Sequence, residues 1–148
     1  MPCITLHDMS VTRTQISMRI DGETSARLRE RANALGQPFT RLAEQYVEDG
    51  LRMEEHPGIY FERGSAGRGP MLMGTNLSVV RVIEIFNAHD GSIEETAAYL
   101  AKPERLVSIA VAYYRDHAEE VDAAIERDRE LNEREYQGWL AERGAAAG

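Results

Sequence analysis

Polar and apolar side chains alternate strictly along residues 15–20, which read Gln-Ile-Ser-Met-Arg-Ile. This period of two predicts a β-strand that is buried on one face only. Gln15, Ser17 and Arg19 would then project together from the opposite face. Glutamine pairs with adenine, arginine with guanine, and serine with base edges or phosphates. The three side chains therefore have the chemistry to read base edges in a DNA groove.

The elements around this strand predict how it is held. Periodic apolar residues indicate a helix over 23–35, which Gly36 ends, and a second helix over 38–55. A lone strand ahead of two helices leaves its backbone groups unpaired, so we expect it to pair antiparallel with the same strand of a second chain. Such a two-stranded ribbon fits the major groove. The shared dimer core would consist of Ile16, Met18, Ile20, Leu28, Leu42 and Tyr46.

Residues 13–54 resemble the ribbon-helix-helix family of DNA-binding proteins, of the Arc, MetJ and CopG type. The features that carry the resemblance are the Gln-Ile-Ser-Met-Arg-Ile strand, the break at Gly36 and the Thr-Arg-Leu start of the second helix at 40–42. The resemblance implies that the three outward residues of the strand read bases. The alternative is an ordinary edge strand of a small α+β domain.

The same resemblance implies a phosphate contact at the start of the second helix. In that family, backbone amides at this helix N-terminus hold a DNA phosphate. Phe39 and Thr40 occupy the position here, with Arg41 close by and Arg13 as a further phosphate contact. Pro38 departs from the family pattern, in which a serine cap is usual. Proline lacks an amide hydrogen, so the clamp is expected to be weaker.

Charge is distributed unevenly along the chain. The total of 17 basic and 25 acidic residues gives a net charge of −8, which argues against a general nucleic-acid coat protein. Residues 11–41 nevertheless hold six arginines and three acids, whereas residues 118–148 hold four arginines and nine acids. The N-terminal end is therefore suited to an anion and the C-terminal end to a basic partner.

The second half of the sequence predicts a separate helical unit. Glycine and proline are frequent over 56–76, which indicates a small β-hairpin or a semi-ordered linker. Apolar periodicity then predicts a helix from Ser78, and Ser92 has the spacing of a cap for a helix over 93–100. This helix and a further one over 105–117 have helix-turn-helix spacing. This surface offers few cations, so a protein-interaction role is favoured over DNA reading. A long charged helix is expected from 118 to about 143.

Several short motifs mark residues 56–128. They are Pro57-Gly58, Gly74-Thr75, the Tyr-Tyr-Arg-Asp-His run at 113–117 and the following Glu119, Glu120, Val121, Asp122 and Ile125. In these motifs the stretch resembles a small family of antitoxin-associated domains, whose genes commonly accompany those of PIN-like ribonuclease toxins. The resemblance implies that a protein toxin is the partner of this chain.

Tyr136, Trp139 and Leu140 stand at i, i+3 and i+4 in the acidic C-terminal stretch, so one helical face would carry all three. Aromatic anchors within a charged helix are typical of binding hot spots. They are the candidate toxin-binding residues. The alternative is that Trp139 folds back onto its own domain.

Other constellations predict no catalytic, metal or cofactor site. The glycine-rich stretch over 64–69 lacks the Gly-Lys-Ser/Thr ending of a phosphate loop. The four histidines are scattered, and the single cysteine, Cys3, has no evident base partner. The chain has no long apolar run and no signal-peptide pattern, and with one cysteine a cytoplasmic location is the default expectation.

These observations predict a mainly α fold. It combines an N-terminal ribbon-helix-helix with a small helix-turn-helix-like domain, which carries a short β-hairpin and a long C-terminal helix. The expected divisions are a flexible arm over 1–12, the ribbon-helix-helix domain over 13–55, a hairpin or linker over 56–77, a helical domain over 78–128 and an acidic tail over 129–148.

The function expected from this organisation is that of a non-enzymatic, homodimeric antitoxin of a type II toxin–antitoxin system. It would bind operator DNA, as a dimer or a tetramer, and neutralise a PIN-like ribonuclease. One alternative is a stand-alone repressor with a small-molecule sensor at 56–117, in which Tyr113, Tyr114 and Met71 would close a pocket. Another is a structural adaptor that never meets DNA.

Overall fold

The computed structural model describes residues 13–64 and 67–146. Within this range the chain is mainly helical, which confirms the predicted class, and an antiparallel hairpin lies in the middle of the sequence. No helix of the described range is long and apolar enough to cross a membrane. In chain order the elements are α1 (Gly22–Ala34), α2 (Phe39–Glu55), β1 (Ile59–Gly64), β2 (Gly67–Leu72), α3 (Val79–Ala88), α4 (Ile93–Leu100), α5 (Glu104–Asp116) and α6 (Ala118–Ala146).

α1 and α2 begin and end close to the predicted positions. Asp21 caps α1, because its side chain accepts a hydrogen bond from the backbone N–H of Thr24 at 2.9 Å. Gly36 follows the helix with a φ of +64°, the left-handed conformation that suits a helix stop. α2 ends at Glu55, as the sequence predicts.

Residues 13–20 belong to no strand in the single chain, although the sequence predicts a strand over 15–20. A strand needs a hydrogen-bonded neighbour. In the described residues the sheet consists of β1 and β2, so it lies in the middle of the chain instead of at the N-terminus. The interchain ribbon-helix-helix arrangement stays a prediction.

The chain divides within α2, between Ala43 and Glu44, into two compact units. We refer to their described parts as the N-terminal unit, residues 13–43, and the C-terminal unit, residues 44–64 and 67–146. In the C-terminal unit, Ile59 of β1 lies opposite Leu72 of β2, and both side chains enter the core. The core residues are Ile59, Leu72, Val79, Val82, Ile83, Ala97, Val107, Ala110, Val111, Tyr113, Val121 and Ile125.

α4 and α5 have the predicted helix-turn-helix order. Ser92 caps α4 by accepting a hydrogen bond from the backbone N–H of Glu95 at 3.2 Å, which is the predicted capping position. Ala101 ends α4 in the left-handed conformation, and Pro103 precedes α5. The turn between the two helices is therefore short and defined by backbone conformation.

α6 is 29 residues long and has two different halves. Val121 and Ile125 in its first turns are buried in the core. Every residue from 129 to 146 is exposed. The predicted long charged helix is thus present, and its second half lies outside the core of its unit.

Candidate functional site

The strand residues predicted to read DNA lie on an exposed segment. Gln15, Ser17 and Arg19 are all exposed, and so is Arg13. The apolar residues between them are exposed as well: Ile16 is 75% accessible, Met18 60% and Ile20 46%. In the single chain the segment therefore buries neither of its two faces.

The other predicted dimer-core residues divide between buried and exposed. Leu42 is buried and Leu28 is half-buried, whereas Tyr46 is exposed. Val47 and Leu51 on the same helix are also exposed. The apolar surface of α2 thus remains largely open to solvent in the single chain.

Several arginines of the N-terminal unit are available for a phosphate. Arg19, Arg27 and Arg31 are exposed, and none forms an ion pair with another described residue. The predicted phosphate residues, Phe39, Thr40 and Arg41, are exposed at the start of α2. The first turn of this helix holds no acidic residue that would repel a phosphate. The guanidinium of Arg29 lies 3.9 Å from the centroid of the Phe39 ring.

The predicted toxin-binding residues form an exposed cluster on α6. Tyr136, Trp139 and Leu140 are 54%, 49% and 40% accessible. The rings of Tyr136 and Trp139 stack with centroids 6.1 Å apart, and the Arg143 guanidinium lies 4.8 Å from the Trp139 ring. Trp139 therefore contacts neighbours on its own helix and does not fold back onto the core.

The C-terminal unit contains a polar junction that no pattern in the sequence predicts. Nη1 of Arg52, near the end of α2, lies 2.8 and 3.0 Å from the two carboxylate oxygens of Glu120 on α6. The same atom donates to the hydroxyl of Tyr113 on α5 at 3.0 Å, and Nη2 donates to Glu48 at 2.6 Å. One guanidinium therefore joins three helices.

Two histidines complete this junction. Nε2 of His56, a buried residue just after α2, lies 3.2 Å from a carboxylate oxygen of Asp116. The His117 ring packs against Tyr113 and His56, with centroids 4.5 and 5.5 Å apart. Nε2 of His117 is buried and has no hydrogen-bond partner among the described residues.

Burial changes the acid–base properties of the junction. Burial, reinforced by the charge of Glu120, raises the pKa of Tyr113 to about 12, although Arg52 opposes the change. Burial and the nearby Arg52 lower the pKa of His117. At neutral pH, Tyr113 therefore stays protonated and His117 stays neutral, so the two rings add no charge to the junction.

A second polar contact holds the hairpin to α2. Nε of Arg68 on β2 donates to the largely buried carboxylate of Asp49 at 2.6 Å. The Arg68 guanidinium also lies 5.6 Å from the Tyr46 ring. Because both partners are largely shielded from water, this pair is screened less than a surface ion pair.

No sensor site or metal site emerges from the described residues. Met71 lines a pocket of about 250 Å³ between β2 and α6, but neither Tyr113 nor Tyr114 lines it. This pocket therefore does not bring together the three residues that the alternative repressor hypothesis names. In the part of the chain that the structure describes, no three His, Cys, Asp or Glu side chains form a group that could hold a metal ion.

No family model, curated protein or solved structure matches this chain. The likeness of residues 13–54 to ribbon-helix-helix proteins and of residues 56–128 to antitoxin-associated domains therefore depends on their motifs alone.

Proposed function

We propose that this protein is a homodimeric antitoxin that binds operator DNA through an interchain ribbon of residues 15–20 and neutralises a protein toxin through its C-terminal region. The observation that carries the proposal is the open apolar face of the N-terminal segment. Three apolar side chains at alternate positions are exposed in the single chain. A second copy of the same segment would bury them, because a two-fold axis brings identical strands together antiparallel.

The chemistry of the opposite face supports DNA as the ligand of that dimer. Pairing the two strands would place Gln15, Ser17 and Arg19 of both chains on one ribbon face. Arginine and glutamine make the commonest bidentate contacts with guanine and adenine. The exposed, unpaired Arg27 and Arg31 would add the positive charge on which DNA affinity largely depends.

A gel shift on the DNA upstream of the gene tests the ribbon. The wild type is compared with a Gln15→Ala/Arg19→Ala variant at two salt concentrations. We expect a salt-sensitive shift that the variant loses, because each bidentate base contact contributes about 1–3 kcal/mol. An Arg105→Ala/Arg115→Ala variant, altered on exposed positions of α5, is the matched control and should bind like the wild type.

Each other result of the gel shift has a definite meaning. Undiminished binding by the Gln15→Ala/Arg19→Ala variant contradicts the ribbon as the reader of bases. If the Arg105→Ala/Arg115→Ala variant fails instead, the helix-turn-helix of α4 and α5 binds DNA. If the wild type shows no shift even at low salt, the DNA-binding half of the proposal is wrong, and a protein-binding adaptor remains.

The toxin-binding element that we propose is α6, whose exposed second half, residues 129–146, holds four acids and three arginines. Residues 118–148 hold nine acids against four arginines, which suits the basic, RNA-binding surface of a ribonuclease. Tyr136, Trp139 and Leu140 supply apolar anchors within that charged surface. A PIN-like ribonuclease encoded beside this gene is the partner we propose.

Deleting residues 130–148 tests this part separately. The truncated chain should bind operator DNA as the wild type does and lose affinity for the toxin. A Tyr136→Ala/Trp139→Ala variant removes the anchors but leaves the acidic side chains, so it separates apolar contact from charge. If the truncated chain still neutralises the toxin fully, the toxin-binding surface lies within 56–117 instead.

A further inference from the structure

The junction of Arg52, His56, Tyr113, Asp116, His117 and Glu120 lies outside both proposed binding surfaces. It joins the last turns of α2 to α5 and to the start of α6. Its charged and titratable groups come from every element that meets there, and two of its members are histidines. We infer that this junction is an acid-sensitive lock, which holds the end of α2 in place when His117 is neutral and releases it when His117 is protonated.

The attachment depends on a small number of polar contacts. The side chain of Arg52 is only 18% exposed, and its Nη1 donates hydrogen bonds to both the Glu120 carboxylate and the Tyr113 hydroxyl. His56 adds the contact with Asp116. Arg52, Tyr113 and His56 are largely shielded from water, whereas the side chains of Glu120 and Asp116 remain 43% and 66% exposed. Leaving the three shielded groups without their partners is therefore the costly part of breaking these contacts.

His117 is the member of the junction least able to accept a charge. Its buried Nε2 has no acceptor among the described residues, so protonation there would create an unsatisfied N–H. Arg52 from α2 repels the new charge, and His56 would repel it when protonated. Glu120 from α6 and Asp116 from α5 attract it, but both already contact Arg52 or His56.

The direction of the pH effect follows from these contacts. Burial and Arg52 lower the pKa of His117, so the folded junction binds its proton less readily than the unfolded chain does. The contribution of His117 is fully present above the ordinary histidine pKa of about 6.5 and declines as the pH falls below it. Opening the junction lets the charged ring reach water.

His56 serves as an internal control, because its buried Nε2 has a partner where that of His117 has none. Nε2 of His56 lies 3.2 Å from a carboxylate oxygen of Asp116, so an N–H there has an acceptor in place. The inference assigns the acid response to His117. A His56→Gln substitution keeps a donor toward Asp116 and removes the second imidazole.

Hydrogen exchange read by mass spectrometry on the full-length chain tests the lock. Exchange is compared at about pH 7.5 and about pH 5.5, on either side of the ordinary histidine pKa, after correction for intrinsic exchange rates. The informative amides are His56 and Ile59, which donate to Arg52 and His56, and Val121, which donates to His117. Helix α3 provides the reference within the same unit.

We expect the wild type to lose several-fold protection at these amides in acid while α3 keeps its protection. His117→Phe fills the same space without a titratable atom and should keep protection at both pH values. His56→Gln should respond to acid as the wild type does. Three results would overturn the inference: full protection of the wild type in acid, equal loss in His117→Phe, or a response abolished by His56→Gln.

A second measurement decides the matter if His117→Phe does not fold. The imidazole resonances of His117 are followed by NMR in the wild type across the same pH range. An apparent pKa below the ordinary value of about 6.5, with resonance changes at Ile59 and Val121 on the same titration, supports the lock. An apparent pKa at or above that value contradicts it.

Discussion

The two units of this chain use apolar residues in opposite ways. In the C-terminal unit, Val79, Val82 and Ile83 on α3 are fully buried beneath the hairpin, α5 and α6. In the N-terminal unit, the alternating apolar residues of 13–20 remain exposed. The C-terminal unit can therefore bury its core within one chain, whereas the N-terminal unit has an apolar surface that a second copy would cover. Apolar patterning alone does not reveal whether the buried contacts are made within one chain or between two.

The largest effect is expected from removing a core side chain of the C-terminal unit. Ile83→Ala would leave a cavity beneath fully buried neighbours, and the free energy of unfolding should fall by about 2–5 kcal/mol. Ile16→Ala is the matched substitution in the N-terminal unit, where the same side chain is 75% exposed. In an isolated chain it should change that free energy little.

Urea unfolding at two protein concentrations, roughly 100-fold apart, separates the two cases. The loss caused by Ile83→Ala should be the same at both concentrations. The loss caused by Ile16→Ala should appear when the proposed dimer forms and disappear on dilution. If Ile16→Ala has no effect at either concentration, the N-terminal segment does not form the proposed interface.

The second effect compares the polar junction with an ion pair on the exposed surface of the same unit. Arg52→Met removes the donor to Glu120 and Tyr113 and leaves both without their partner, so we expect a loss of about 1–3 kcal/mol in the free energy of unfolding. Arg81→Met breaks only the exposed i,i+3 pair with Glu84 and should cost about 0.5 kcal/mol or less. Equal losses from the two variants, measured by urea unfolding, would show that the junction is no stronger than a surface pair.

Local sequence signals predicted most of the helices in both units. Apolar periodicity, the serine at Ser92 and the glycine at Gly36 all act within a few residues, and α1, α2 and α4 begin and end near the positions they indicate. The frequent glycine and proline over 56–76 also indicated the hairpin. Such signals suffice where the stabilising contacts are close in sequence.

The polar junction could not be predicted in this way. Arg52 meets Tyr113 and Glu120 across 61 and 68 residues of sequence, and no periodic pattern relates positions so far apart. An arginine near the end of a helix is usually interpreted as a favourable interaction with the helix dipole. The proposed DNA site lies beyond a single chain for a different reason, because the strand at 15–20 needs a neighbour from a second chain.

The third effect compares two glycines of the C-terminal unit. Gly58 has a φ of +99°, and an added Cβ would lie 3.0 Å from Cδ1 of Ile109, so Gly58→Ala should lower the free energy of unfolding by about 1–3 kcal/mol. Gly50 lies within α2 with open space around it, and Gly50→Ala should raise helix stability by about 0.5–1 kcal/mol. Thermal unfolding in dilute solution measures both. A loss for Gly50→Ala that appears only at high protein concentration would instead place this face of α2 in the proposed dimer.

The smallest effect concerns how the helices of the two units are capped. The carboxylate of Asp21 caps the N-terminus of α1, whereas the hydroxyls of Ser78 and Ser92 cap the N-termini of α3 and α4. The hydrogen bonds from Thr24, first its backbone N–H and then its hydroxyl, lower the pKa of Asp21. The cap is therefore fully present above the ordinary pKa of the carboxyl group and is lost as the pH falls through the lowered value. Serine caps do not titrate in this range.

Acid should therefore loosen the first turn of α1 before those of α3 and α4. The backbone amide resonance of Thr24 should move with the titration of Asp21, while those of Arg81 and Glu95, which donate to the serine caps, stay unchanged. In Asp21→Asn the side-chain oxygen still accepts the hydrogen bond but cannot be protonated. The Thr24 resonance should then be insensitive to acid. If it still moves, α1 responds to acid through another group, and the contrast between the two units does not extend to their caps.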